Sequence, residues 1–105
     1  MLAEPEYQIR ISPRADSMMQ EHALFLAQVS IKAAERLLEE YAEKVADLKH
    51  MPERYPWLDD PNIPIGKYRK LLLDKRYLVL FQIKGDTVYV DYAVDCRQQY
   101  QCLIY

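Results

Sequence analysis

Glycine is nearly absent from this chain: Gly66 and Gly85 are the only two in 105 residues. With so few, no glycine-rich loop can cradle a phosphate against its backbone, and a nucleotide cofactor is not expected. Cysteine is equally rare. Cys96 and Cys102 lie six residues apart with no histidine beside them, which is neither a zinc-binding spacing nor a disulfide framework. They read as two reduced thiols of a cytosolic protein, and neither metal nor cofactor is expected. Long apolar runs are missing too. Nothing approaches the roughly 18 residues of a membrane span, and residues 1–12 alternate in polarity instead of forming a charged-then-apolar leader. These absences point to a soluble, cytoplasmic protein with no membrane partner. No internal repeat or low-complexity block occurs.

What the chain does have is apolar material and a lopsided charge. Half of its residues are hydrophobic, enough for one domain over residues 1–105 that buries roughly 60 to 70% of its unfolded surface without a staple. The net charge of −2 hides a polarity. Residues 1–62 carry seven Lys or Arg against twelve Asp or Glu, whereas residues 66–105 carry seven against four. An acidic half therefore precedes a basic one.

Periodicity divides the acidic half from the basic one in structure as well. Tyr7, Ile9 and Ile11 alternate with polar neighbours, which predicts a strand over residues 7–11. Ser12 before Pro13 is a helix start, because the hydroxyl accepts an orphan N–H and proline loses nothing at the first helical position. Met18, His22, Phe25, Leu26 and Val29 then form one apolar stripe. His22 reads as a packing histidine rather than a ligand. Ser30 caps a second helix, with Ala34, Leu37, Leu38, Tyr41, Val45 and Leu48 inward and an end at Met51 before Pro52. A tight antiparallel helix pair over residues 13–51 is the natural way to bury both stripes, the alternative being a single long kinked helix. Residues 52–65 contain four prolines and the only tryptophan, predicting an irregular connector anchored by that aromatic.

Three strands follow, over residues 67–73, 76–84 and 87–95, joined by short turns at Asp74-Lys75 and Gly85-Asp86 into an antiparallel meander. Alternation puts Val88, Val90, Tyr92 and Val94 on one side of the last strand, toward the helices. In the middle strand Tyr77, Val79, Phe81 and Ile83 oppose Arg76, Leu78, Leu80 and Gln82, leaving Arg76 on the side away from the helices. Arg97 and Tyr100 close the cationic segment as an Arg-x-x-Tyr.

The succession of strand, two helices, proline-rich connector, KYRKLLLDKRYLVLFQI, GDTVYV and DCRQQY resembles the RelE/ParE superfamily of bacterial toxins from type II toxin-antitoxin systems, over about residues 7–103. The resemblance implies an α+β fold of order β-α-α-β-β-β. In it two antiparallel helices pack on a twisted, mainly antiparallel four-stranded sheet, with the first strand beside the last. It also implies two activities. RelE-like members cut mRNA in the ribosomal A site without metal, and ParE-like members poison DNA gyrase. For the first, guanidinium groups would stabilise charge at the phosphate and a phenol would assist proton transfer.

Carried onto this chain, the catalytic set expected of a ribosome-dependent mRNA endoribonuclease is Arg76, Arg97 and Tyr100, with Lys67, Arg69 and Lys70 as RNA contacts. Two positions depart from the RelE pattern. Leu78 follows Tyr77 where those enzymes carry arginine, and Leu71 stands where a second lysine is common. An isoelectric point near 5.6 also weighs against strong RNA binding in free solution. The alternatives are a gyrase-directed toxin and an inactive family member that binds protein. The apolar rows Leu71, Leu73, Leu78 and Leu80 are expected to take the cognate antitoxin as an exposed apolar patch. The partners implied are that antitoxin and either ribosome-bound mRNA or gyrase, in a homodimer or a toxin-antitoxin hetero-oligomer.

Overall fold

The computed structural model describes residues 6–96. Strand β1 (Gln8–Ile11) leads into helices α1 (Pro13–Ala27) and α2 (Ile31–Asp47), and a 3₁₀ turn follows at Pro52–Arg54. Strands β2 (Arg69–Leu73), β3 (Tyr77–Lys84) and β4 (Thr87–Asp95) complete the fold. The sheet order is β1-β4-β3-β2, with β1 parallel to β4 and the other pairs antiparallel. This is the α+β arrangement the sequence implies. No helix among the described residues is long and apolar enough to cross a membrane.

The helix starts form as their residues dictate. Ser12 Oγ accepts from the Ala15 N–H at 2.9 Å and Pro13 opens α1, while Ser30 Oγ accepts from Ala33 N–H at 3.1 Å. Two details differ from expectation. Helix α2 ends at Asp47 instead of Met51, because the chain tightens into three-residue turns in which the Leu48, Lys49 and His50 N–H groups donate to Val45, Ala46 and Asp47 O. Met51 takes a left-handed φ of 48°. The buried stripe of α1 is Ala15, Met19 and Ala23, whereas Phe25 is 58% and Val29 83% exposed. Small side chains there let α1 lie close on the sheet, and the larger apolar residues turn outward.

Register departs from simple alternation at two places, and each moves side chains across the sheet. The loop between β2 and β3 holds three residues, since Leu73 pairs with Tyr77 and β3 begins there rather than at Arg76. Asp74 and Lys75 both take positive φ, 51° and 54°, and Arg76 N–H donates to Leu73 O at 3.0 Å. One extra residue in a hairpin loop shifts the pairing by one and turns a strand's side chains to the opposite face. Leu71 and Leu73 therefore join Tyr77 and Val79 under the helices. The second irregularity is a β-bulge in β4. Leu80 pairs with Tyr92 but Phe81 with Val90, so Asp91 has no opposite number. A bulge reverses the alternation beyond it. Val88, Val90 and Ala93 face the helices, while Tyr92 and Val94 face away, a correction to the single valine face expected.

The main core lies between helices and sheet, where Met19, Leu37, Val45, Leu71, Leu73, Tyr77, Val79, Phe81, Val88 and Val90 are buried. The connector extends that layer and then wraps the β2 edge. Pro52 is buried and Tyr55 meets Phe81 edge-to-face at 5.9 Å. Leu58 N–H then donates to Tyr68 O at 2.7 Å and Lys70 N–H to Pro56 O at 3.0 Å, which occupies main-chain groups that an edge strand otherwise leaves open. Trp57 is not the buried anchor expected. It stays 48% exposed and pairs with Arg69.

Candidate functional site on the helix-free face

The sheet face away from the helices carries a second, smaller cluster: Leu58, Tyr68, Leu78, Leu80, Val94 and Cys96. Its organiser is Asp91. Because the bulge frees its carbonyl from the ladder, that oxygen accepts from Ser12 Oγ at 3.1 Å and from Arg14 Nε at 3.4 Å. Its carboxylate Oδ2 accepts from the Tyr68 hydroxyl at 3.1 Å and from Gln82 Nε2 at 2.9 Å. One residue thus ties the start of α1, the connector end and β3 together. Burial, and then the hydrogen bond to Asp91, holds the Tyr68 hydroxyl above its ordinary range, so it remains a neutral donor.

Aromatic walls stand over this base. Tyr68 and Tyr92 meet edge-to-face at 5.9 Å, and the Arg14 guanidinium lies 4.0 Å above the Tyr92 ring, an attractive cation–π geometry. Between them opens a cleft of about 300 Å³ bounded by Ile63, Lys67, Tyr68, Leu80, Tyr92 and Val94. Lys67 is the cation in this lining, 5.5 Å from the Tyr68 ring centre. The cleft is built to hold an apolar or planar group. Asp91 holds the Tyr68 wall through the tyrosine hydroxyl and does not itself line the cleft.

The residues singled out from sequence are dispersed. Arg76 forks onto Asp95, Nε to Oδ1 at 3.3 Å and Nη2 to Oδ2 at 3.0 Å, with side chains 17% and 4% exposed. That hydrogen bond is the main reason its pKa is raised further. Arg69 lies 3.9 Å over Trp57 and donates to the carbonyls of Tyr55 and Glu53 at 2.7 and 3.0 Å. Lys67, Arg69 and Lys84 share a separate cavity of about 360 Å³ with Glu53 and Trp57. Lys70 sits within β2. Arg97 and Tyr100 lie outside the described residues. Leu71 and Leu73 are buried under the helices, whereas Leu78 and Leu80 are buried on the opposite face. The four leucines therefore form no single patch. His22 packs as expected, its Nε2 2.8 Å from Ala93 O and its ring 5.1 Å from Tyr77.

Asp91, Tyr92, Tyr68 and Arg14 escaped the sequence reading. The one available signal was a charge in the middle of an otherwise apolar strand, which alternation alone assigned to a solvated face.

A family model described as the ParE toxin of the type II toxin-antitoxin system, parDE, matches residues 9–100. The chain belongs to this family. A solved structure from the chromosomal ParDE toxin-antitoxin system of P. aeruginosa superimposes with a TM-score of 0.69 at 13% identity. The match covers 88% of this chain and 98% of that one, a likeness of fold. Among curated proteins no sequence matches. In this ParE-family toxin, no group of three or more His, Cys, Asp or Glu among the described residues could hold a metal ion.

Proposed function

We propose that this toxin acts by binding rather than by cutting RNA, that its target is DNA gyrase, and that a cognate antitoxin holds it in check. The match of residues 9–100 to the ParE model carries the reading. The engagement of Arg76 supports it. A guanidinium already forked onto a buried carboxylate has its charge neutralised and only its remaining donors to offer a phosphate, and breaking the desolvated pair is costly. The departures at Leu71 and Leu78, where RelE-like enzymes carry cations, argue in the same direction. The Tyr68–Tyr92 cleft supplies what a binding toxin needs, an apolar floor with aromatic walls able to seat an anchor side chain of a partner.

Expression in growing cells tests the choice of target. The expected outcome is growth arrest with induction of a DNA-damage response and full-length transcripts in primer extension. Cleavage within translated mRNA, with no damage response, would return the ribonuclease reading.

A further inference from the structure

Two recesses open on the helix-free face, and they meet at one side chain. Lys67 lines both the Tyr68–Tyr92 cleft and the neighbouring cavity bordered by Trp57, Arg69 and Lys84. Asp91 joins them from behind. Its carboxylate accepts from Tyr68, a wall of the cleft, and from Gln82, a wall of the cavity. Its carbonyl meets Arg14, whose guanidinium lies over the ring of Tyr92, the opposite wall of the cleft. The ladder gives up a pairing position at the bulge to place these groups, and bulges often re-aim side chains beside functional sites. Both walls are held in the free chain, so an incoming group need not order them.

The two recesses suit different chemistry. The cleft has an aliphatic floor of Ile63, Leu80 and Val94, and the Tyr68 hydroxyl is committed to Asp91, so the group that enters is apolar or aromatic. The cavity is cationic. Lys67 and Lys84 are exposed, and neither they nor Arg69 form an ion pair among the described residues. Arg69 instead donates to the carbonyls of Tyr55 and Glu53 and stacks on Trp57. Glu53 supplies the carboxylate of this lining, and the Tyr7 hydroxyl that donates to it holds its pKa below the ordinary range. Three cations against one carboxylate leave the recess positive, and an anionic group neutralises it. A nucleic-acid strand fits less well. Its affinity comes from many phosphate contacts, and this chain carries −2 overall.

An apolar slot with fixed walls, joined through one lysine to an unneutralised cationic recess, describes an acidic peptide segment with a bulky anchor. We propose that the two recesses form one composite site for such a segment of gyrase. A large apolar or aromatic side chain seats between Tyr68 and Tyr92, and carboxylates a few residues away meet Lys67, Arg69 and Lys84. The anchor gives the complex its lifetime, and the cations speed encounter and set orientation. This rests on the gyrase reading above and names the part of the toxin that carries it.

The test measures association and dissociation of purified toxin on immobilised purified gyrase. Lys67→Glu and Lys84→Glu change exposed positions and leave the fold intact by circular dichroism. Each should slow association, weaken binding about tenfold and flatten its salt dependence. Tyr92→Ala should instead speed dissociation by more than about tenfold, while Tyr92→Phe keeps the wall and binds like wild type. If the folded lysine variants and Tyr92→Ala all bind gyrase like wild type, the proposal is overturned and the gyrase reading stands. Loss in only one of the two arms would overturn the composite site. If wild-type toxin does not bind gyrase at all, the gyrase reading fails and this proposal falls with it. Trp57, the only tryptophan of the chain, reports on the cationic recess directly. A tryptophan-free peptide of aspartates and glutamates around one phenylalanine should shift its emission in the wild type and not in the Lys67→Glu, Lys84→Glu double variant. A shift with a single-stranded DNA oligonucleotide and none with the peptide would overturn the proposal in favour of nucleic acid.

Discussion

Arg76 and Asp95 set the chemistry available to this molecule more than any other pair. A guanidinium lacking a partner would be free to meet a phosphate. Here two of its donors are taken by a carboxylate that β4 buries at its last position. The pair lies between the surface and fully buried cases, so losing either member should cost about 2 kcal/mol. We expect Arg76→Ala and Asp95→Ala to destabilise by similar amounts, and the double variant by clearly less than their sum, in denaturant unfolding. If Arg76 serves only this pair, both single variants should retain toxicity in proportion to their remaining folded fraction. Toxicity abolished in a fully folded Arg76→Ala protein, with Asp95→Ala still toxic, would assign Arg76 a direct role.

Among the secondary-structure elements, two insertions of a single residue determine which side chains meet. Had β4 kept strict alternation, Val90 and Ala93 would stand on opposite faces; the bulge at Asp91 puts both in the core. Val90→Asp and Ala93→Asp should therefore unfold the domain alike, each burying a carboxylate at a cost of several kcal/mol against a total of roughly 5 to 15. Circular dichroism decides it. A folded Ala93→Asp variant would mean an unbulged strand. The three-residue loop offers a test of opposite sign. Lys75 holds φ at 54°, a left-handed conformation that glycine adopts without penalty, so Lys75→Gly should stabilise by about 1 kcal/mol or slightly less. An unchanged or lowered melting point would show that the strain is absent.

These same irregularities explain what could and could not be read from the chain. The strands, helices, both serine caps and the sheet order follow from period, capping chemistry and the resemblance, because each is either a local signal or a property of the whole family. The faces do not. A bulge leaves no mark in hydrophobic alternation when both neighbouring sets are apolar, as in VYVDYAV, and a three-residue loop looks like a two-residue one when Arg76 continues the strand pattern. Alternation alone thus groups Leu71 and Leu73 with Leu78 and Leu80, and Tyr92 with Val90. The Asp91 hub was hidden for the same reason. Ile9, Ile11, Tyr41 and Val45 were legible as core positions, but the open groove between them depends on how far α2 stands from β1, which no spacing in the sequence encodes.

For the molecule as a whole, the polarity of charge seen in the sequence becomes a polarity of surfaces. One layer is helical and acidic, with edge strand β1 at its margin. The opposite face of the sheet carries the aromatic cleft, with Lys67 at its lining and Lys84 and Arg69 in the neighbouring cavity. The two surfaces are separate, and the proposed victim need not share one with the antitoxin. The central claim is that the victim is gyrase and that the toxin binds it without cutting RNA. The most direct measurement is a DNA supercoiling assay with purified gyrase and purified toxin, run beside ribosomes translating a defined mRNA. The account predicts that supercoiling is lost as toxin is added, that antitoxin restores it, and that the mRNA stays whole. Undiminished supercoiling together with cleavage of the translated mRNA would contradict it.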